Sequence, residues 1–158
     1  MRRVKLDKID RKILKDLQDN GRITNVELSR NAGISAPPCL RRVKALEEAG
    51  YIQGYHARLN PGLMGYGITI FAQLKLDSQA ETELKEFEDQ CRQWEMVREC
   101  HMVSGEVDFL LRIVAEDWEA YQAFLTEELT AAKNVTSVKT MLLIRSAKHE
   151  PGVPVGID

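Results

Sequence analysis

The spacing of apolar residues changes once along this chain, at a segment rich in glycine and proline. Before this segment, apolar side chains recur every three or four residues, the period of an amphipathic helix. After it, stretches of alternating apolar and polar residues, typical of half-buried strands, take turns with further helical stretches. Residues 58–67 hold one proline and three glycines, a linker-like composition. We therefore predict domains at 1–57 and 68–147, joined by this linker, and a loose tail at 148–158.

Three short helices are predicted in the first domain. Asp7 is placed to cap the first helix, and the apolar residues that follow keep helical spacing for about three turns. Thr24 and Glu27 have the spacing of a capping box at the start of the second helix. Gly33 ends that helix, because glycine accepts the positive φ of a sharp turn. The third helix follows at once.

The third predicted helix begins after the N-cap Ser35 and ends at Gly50. Leu40, Val43 and Leu46 recur every three residues, so we predict that they face the core. Residues 51–57 are predicted to form a short strand pair, or wing, after the helix. The outward side of the helix is then predicted to contact DNA through six residues: Ser35, Ala36, Cys39, Arg41, Arg42 and Lys44.

Two helices joined by a glycine turn, with cations on the second, are typical of a DNA-binding helix-turn-helix, since the major groove of DNA admits one α-helix. Arg41 and Arg42 can bind guanine edges or phosphates, and the sequence does not decide between these roles. Charge supports the prediction. Residues 1–58 carry a net charge of +6, whereas residues 59–158 carry −8. We therefore expect that the first domain alone meets double-stranded DNA.

The second domain is predicted to contain four strands and two helices. The strands are expected at residues 68–76, 96–103, 108–115 and 135–146, with one helix after the first strand and another, capped near Asp117, before the last. The order βαββαβ is that of a ferredoxin-like domain, with helices on one face of the sheet. The predicted fold class is thus α+β, with a winged helix-turn-helix domain preceding a ferredoxin-like domain.

Several motifs along nearly the whole chain resemble the Lrp/AsnC family of leucine-responsive, or feast/famine, transcriptional regulators. They are Leu6-Asp7-x-x-Asp10-x-x-Ile13-Leu14, Asn20-Gly21-Arg22, Val43-x-x-Leu46-Glu47-x-x-Gly50-Tyr51-Ile52-x-Gly54-Tyr55 and Val103-Ser104-Gly105-Glu106-Val107-Asp108-Phe109-Leu110-Leu111. Ala36-Pro37-Pro38-Cys39 departs from the Ser/Thr-rich start that family members usually have in the recognition helix. The resemblance implies a dimer built through the C-terminal sheets, often assembled into an octamer, with an amino acid or related effector in clefts between dimers.

The expected effector site lies around the hairpin that the resemblance identifies. A free amino acid needs an anion beside its ammonium group and backbone N–H groups beside its carboxylate. Gly105 permits close backbone approach, and either Glu106 or Asp108 can supply the anion. The last strand is expected to add another wall. The candidate effector residues are Ser104, Gly105, Glu106, Asp108, Thr140 and Met141.

Other functions fit the sequence less well. An architectural DNA-binding protein without a ligand would share the first domain, and this alternative stays open. No phosphate-binding loop or nucleophile–base set indicates an enzyme, and the paired aromatic residues of RNA-binding sheets are missing. Three widely spaced cysteines, Cys39, Cys91 and Cys100, predict reduced thiols and no metal site. With neither a secretory signal nor a membrane-spanning run, we expect a cytoplasmic protein that needs no cofactor.

Overall fold

The structure is a computed structural model that describes residues 5–156. The chain divides into two compact units, one formed by residues 1–58 together with 148–158 and the other by residues 59–147. Residues 1–4 and 157–158, which the predicted first domain and tail include, lie outside the described residues. Within the described part, no helix is long and apolar enough to cross a bilayer.

The first unit contains three helices, α1 (Lys8–Asp19), α2 (Asn25–Ala32) and α3 (Ala36–Glu48). The predicted caps of α1 and α2 are confirmed, whereas Ser35 precedes α3 without a side-chain capping hydrogen bond. Asp7 accepts from the backbone N–H of Asp10 at 2.8 Å, and a capping box is complete at the start of both α1 and α2. Gly33 adopts φ 69° after α2, so its left-handed conformation makes the sharp turn into α3.

The predicted inward side of α3 is confirmed for Val43 and Leu46 and is wrong for Leu40 and Cys39. Cys39 and Leu46 lie in the core of the first unit, with Ile13 of α1 and Leu28 of α2. Leu40, predicted to be buried, is 46% exposed. The reason is the helical period, since each residue turns the helix by about 100°.

Positions three residues apart therefore drift around the axis by about 60° per step, so two such steps move a side chain far from its starting face. Cys39, Val43 and Leu46 have steps of four and three residues, which keep them on one face. Arg42 lies beside this inward stripe and is half-buried. The core-facing side of α3 is thus set by Cys39 and not by Leu40.

The segment after α3 also differs from the prediction. Gly50 ends the helix with φ 76°, as expected, and the Tyr51 N–H donates to the Leu46 carbonyl at 2.9 Å. Residues 52–60, however, form no strand, so the predicted strand pair of the wing is not formed in this chain. A strand requires a hydrogen-bonded neighbour, and none of the described residues supplies one here.

The C-terminal tail, expected to be loose, is held against α1 within the first unit. The side-chain amide of Gln18 pairs with the backbone of Val153 in both directions. Its Nε2 donates to the carbonyl at 2.8 Å, and its Oε1 accepts from the N–H at 3.1 Å. Arg11 donates to the carbonyl of Gly156 at 3.4 Å. The Gln18 amide thus pairs with the Val153 backbone as a neighbouring strand would, and it holds the tail although no sheet is formed.

The second unit is the predicted ferredoxin-like βαββαβ domain. It contains β1 (Ile68–Leu76), α4 (Glu81–Cys91), β2 (Val97–Met102), β3 (Phe109–Ala115), α5 (Trp118–Phe124) and β4 (Val135–Leu142). A turn of π-helix, Leu125–Leu129, extends α5, and a 3-10 helix, Gly62–Met64, lies in the segment before β1. The sheet has the order β2-β3-β1-β4, and every pair of neighbours is antiparallel.

The core lies between the sheet and its helices. Alternate residues of β1 are buried, namely Ile70, Ala72, Leu74 and Leu76, as the alternation predicts. Phe87 of α4, with Tyr121 and Phe124 of α5, packs over them. Asp117 caps α5 by accepting from the Ala120 N–H at 2.8 Å, also as predicted.

β4 is four residues shorter than predicted, because its partner strand ends. Leu143 donates to the Thr69 carbonyl at 2.9 Å, so the pairing reaches the first residues of β1. Gly67, one residue before β1, instead donates to Glu116 at 3.0 Å. In this register only Ile68 of β1 remains beyond that bond, so β4 has almost no partner strand along which to extend.

Candidate DNA interface and effector site

The turn between α2 and α3 is held by backbone and side-chain hydrogen bonds. The N–H of Ile34 donates to the Ser29 carbonyl at 3.0 Å, and Asn25 Nδ2 donates to the Ala36 carbonyl at 2.9 Å. The second bond joins the first turn of α2 to the first turn of α3. Because both helix starts are fixed together, the exposed face of α3 has a defined orientation relative to α2.

That exposed face carries two cations that are available to a ligand. Arg41 and Lys44 lie one turn apart in the middle of α3, and both are exposed. Among the described residues neither forms an ion pair or a hydrogen bond through its side chain. Ser35 is exposed at the start of the same helix, while Ala36 is half-buried and its carbonyl is occupied. The face therefore offers positive charge that no described acidic residue compensates.

Two of the six predicted contact residues are placed elsewhere. Cys39 is 0% exposed, so it belongs to the core and we withdraw it as a DNA contact. The guanidinium of Arg42 donates to Asp7 at 2.8 Å and to Asp10 at 2.6 Å. These bonds raise the pKa of Arg42 and join α3 to the start of α1. Arg42 is therefore engaged within the fold, unlike its neighbour Arg41.

Sequence reasoning missed Leu40 as a surface residue. It lies on the same exposed side of α3 as Arg41 and Lys44 and makes no core contact in the first unit. Apolar side chains can contact the methyl group of thymine in the major groove. The signal that identifies it is the alternation of four- and three-residue steps through Cys39, Val43 and Leu46, which leaves Leu40 outside the buried stripe.

The candidate effector hairpin joins β2 to β3. The Val103 N–H donates to the Asp108 carbonyl at 2.9 Å, which closes the hairpin, and Gly105 takes φ 133° at its tip. Ser104, Gly105 and Glu106 are exposed. The Glu106 carboxylate forms no ion pair or hydrogen bond to any described residue. The hairpin therefore presents an unpaired anion next to an accessible glycine backbone.

Asp108 has a different role from Glu106. Its carboxylate is buried and accepts two hydrogen bonds, one from the backbone N–H of Leu76 and one from Gln79 Nε2, both at 2.7 Å. Its backbone N–H donates to the Leu74 carbonyl at 2.8 Å. With both oxygens engaged, Asp108 ties the hairpin to the end of β1 and is not a free anion for an effector.

Thr140 and Met141 do not join the hairpin within one chain. β1 lies between β3 and β4, which places β4 about 10 Å from β3. Successive residues of a strand also point to opposite faces. The Thr140 hydroxyl hydrogen-bonds to that of Tyr121 at 2.5 Å beneath the helices, whereas Met141 is cross-strand from Phe71 on the open face. These two residues therefore cannot line the same side of one pocket.

The open face of the sheet is a third feature of the second unit. Phe71 and Met141 are neighbours across β1 and β4, and Leu110 of β3 lies on the same face. Beside them, Arg112 donates to Glu99 at 2.6 Å, and His101 lies 3.3 Å from the same carboxylate. No described helix of the unit covers this face. An apolar centre with a charged border is typical of an association surface.

These observations define a class of protein: a DNA-binding helix-turn-helix joined to a ferredoxin-like domain. Comparison with known proteins identifies both parts. Residues 6–53 match the winged helix-turn-helix DNA-binding family, and residues 69–153 match the Lrp/AsnC ligand binding domain. The chain belongs to the Lrp/AsnC family of transcriptional regulators, a family of DNA-binding proteins and not of enzymes.

Leucine-responsive regulatory proteins of two bacteria match this chain over most of their length. The chain is 56% identical to the leucine-responsive regulatory protein of Rhizobium meliloti (strain 1021) over 146 residues, 92% of this chain and 94% of that protein. It is 41% identical to the leucine-responsive regulatory protein of Escherichia coli (strain K12) over 144 residues, 91% of this chain and 88% of that protein.

Solved structures agree with the fold. A transcriptional regulator from Neisseria meningitidis, crystallised in complex with L-Met, has a TM-score of 0.89 and 36% identity, with 94% of this chain and 96% of that chain covered. An AsnC family transcriptional regulator from Agrobacterium tumefaciens has a TM-score of 0.87 and 32% identity, with 94% and 97% covered. The predicted family, the α+β fold class and the role as a DNA-binding transcriptional regulator are thus confirmed.

Proposed function

We propose that this regulator binds duplex DNA sequence-specifically through the exposed face of α3 and changes its DNA binding when an amino acid binds at the β2–β3 hairpin. The observation that carries the first part is the pair of cations on that face, Arg41 and Lys44, which have no acidic partner in the part of the chain that the structure describes. Ser35, Ala36 and Leu40 would contact groove edges nearby. Because this function requires access to DNA, we place the protein in the cytoplasm, in association with the nucleoid.

Selection of DNA sequences tests this function directly. The full chain is incubated with a pool of random duplexes, with and without L-leucine, and the bound fraction is sequenced. A two-fold symmetric protein selects a near-palindromic motif with half-sites about one helical turn apart. We expect such a motif, with an occupancy that depends on the amino acid. Binding without any enriched sequence would instead indicate an architectural protein.

The effector proposal rests on Glu106 and the backbone around Gly105. The carboxylate of Glu106 has no partner to displace among the described residues, so it can accept the ammonium group of an amino acid. The exposed backbone at Ser104 and Gly105 would bind the carboxylate end. Two similarities support this choice: the match to a ligand binding domain, and the relative from Neisseria meningitidis whose structure is a complex with L-Met.

Titration calorimetry with L-leucine and L-methionine tests the site. Glu106→Gln should weaken binding at least about tenfold, because a hydrogen bond to a charged group contributes about 1.5–3 kcal/mol. Glu119→Gln, a change at an exposed position of α5, should have no effect. Equal affinity in the Glu106 variant would remove this residue from the site. A lack of heat with both ligands would contradict an amino-acid effector.

The open sheet face would bind a second copy of the chain. Phe71, Leu110 and Met141 form its apolar centre, and pairing of two such faces would remove them from water. Met141→Glu would place a charge in that contact and should weaken self-association at least about tenfold in analytical ultracentrifugation. Ala123→Glu, on the exposed side of α5, is the matched control. An unchanged dissociation constant for the Met141 variant would exclude this face.

A further inference from the structure

Two of the three cysteines meet inside the second unit. Cys91 is the last residue of α4, and Cys100 lies in β2. Cys100 pairs across the strands with Leu111, which is fully buried, so its side chain points to the helix-covered side of the sheet. Both side chains belong to the same core cluster, with Cys91 buried in it and Cys100 packed against it. Cys91 is 4% exposed, whereas Cys100 is half-buried.

The contact makes the two thiols chemically different. Interaction with the Cys91 thiol lowers the pKa of Cys100, and the nearby Arg92 acts in the same direction against burial and Glu88. The same interaction, together with burial, raises the pKa of Cys91 strongly. Cys100, with the lower pKa and the greater exposure, is therefore the thiol that we expect to react first. A reactive thiol next to a second thiol is the arrangement found in redox-sensing cysteines.

We propose that Cys91 and Cys100 form an oxidisable dithiol, which a hydroperoxide such as hydrogen peroxide converts into an intramolecular disulfide joining the end of α4 to β2. The Cys100 thiolate attacks one peroxide oxygen. The O–O bond breaks, a sulfenic acid forms on Cys100 and hydroxide leaves. The Cys91 sulfur then attacks the sulfenic sulfur, the S–O bond breaks, and the departing hydroxide takes the Cys91 proton as water.

In sum, the two thiols lose two electrons and two protons, and the peroxide is reduced to water. A dithiol reductant such as dithiothreitol reverses the bond by thiol–disulfide exchange. Cys39 offers a contrast within the same chain. It is fully buried in the first unit and burial raises its pKa, so the same oxidant should leave it unchanged. The proposal does not depend on the effector or on the identity of the operator.

Peptide mapping of the full chain tests the proposal. The folded, reduced protein is treated with hydrogen peroxide, its free thiols are alkylated, and it is digested with trypsin. Cleavage after Arg92 and Arg98 places the two cysteines in different peptides. We expect these peptides joined, with the mass of a disulfide, and separate after dithiothreitol. Both cysteines recovered alkylated after peroxide, or joined only between copies of the chain, would overturn the proposal.

Variants assign the roles of the two thiols. Cys91→Ser should stop the reaction at a sulfenic acid on Cys100, which dimedone traps, whereas Cys100→Ser should leave Cys91 unreacted. Cys39→Ala is the control and should form the disulfide as the unchanged chain does. Trapping on Cys91 in the Cys100 variant would contradict the assigned order of attack. The peptide map of the unchanged chain decides the main question even where a variant fails to fold.

Discussion

Arg42 of α3 donates a hydrogen bond to the carboxylate of Asp10 in the first turn of α1, at 2.6 Å. The Asp10 side chain is mostly buried, and the same guanidinium also reaches Asp7. The ion pair therefore joins two helices that are far apart in sequence. Two adjacent arginines therefore have different roles. Arg42 is held within the fold, whereas Arg41 remains on the surface with no acidic partner among the described residues.

A double-mutant cycle measures this pair. Arg42→Ala and Asp10→Asn should each lower the free energy of unfolding by about 1–2 kcal/mol, since each leaves a partly buried charge without its partner. The double variant should cost less than the sum of the single changes. Urea denaturation followed by circular dichroism gives all four values. Strict additivity would show that the two side chains do not interact in solution.

Acid should weaken the start of α1. The backbone N–H of Asp10 lowers the pKa of Asp7 below its ordinary value of 3.8, and Arg42 lowers it further. A carboxylate with a lower pKa in the folded state stabilises the protein fully above its unfolded value, and the contribution is lost as the pH falls through the folded value. We expect the stability difference between the unchanged chain and Asp7→Asn to shrink below about pH 4. A difference independent of pH would contradict the assignment.

Asp108 should matter for stability and Asp77 should not. Asp108→Asn replaces one of two acceptors with a donor that faces another donor, at Leu76 N–H or at Gln79. The expected cost is about 1–3 kcal/mol for an unsatisfied buried group. Asp77→Asn, an exposed position nearby, is the matched control. Equal urea midpoints for the two variants would mean that the hairpin is not held by Asp108.

Binding of the C-terminal tail should slow hydrogen exchange of the α1 amides. Gln18→Ala removes both hydrogen bonds to Val153 and should increase hydrogen exchange of the α1 amides, by an amount that corresponds to about 1 kcal/mol for an exposed site. The amides of β1 should not change. Gln122→Ala, on the exposed side of α5, serves as control. Equal protection of α1 in the Gln18 variant would show that the tail is not bound there.

The sequence predicted well what depends on local rules. The capping box at Thr24, the left-handed Gly33 and the alternation along β1 each follow from residues close together in the chain, and each is confirmed. The length of β4 was overestimated because the extent of a strand depends on its partner, and that partner is more than 70 residues away, at Thr69.

The site was harder to predict, because the role of each residue depends on partners that are distant in the sequence. Arg41 and Arg42 are identical in type, and only Asp7 and Asp10, more than 30 residues earlier, determine which arginine is engaged. The roles of Glu106 and Asp108 differ for the same reason, since the N–H of Leu76 donates a hydrogen bond to Asp108. Composition and spacing place such residues on an element but do not assign their partners.

The salt dependence of duplex binding tests the central claim most directly. Affinity for a selected duplex is measured at several salt concentrations for the unchanged chain, for Arg41→Ala, for Lys44→Ala and for Lys85→Ala, an exposed lysine of α4 used as control. We expect each α3 variant to lose about 1–3 kcal/mol of affinity if it contacts a base, or to reduce the salt slope by about 1 if it contacts a phosphate. The Lys85 variant should bind as the unchanged chain does. Affinities and slopes equal to those of the unchanged chain in both α3 variants would contradict the proposed interface.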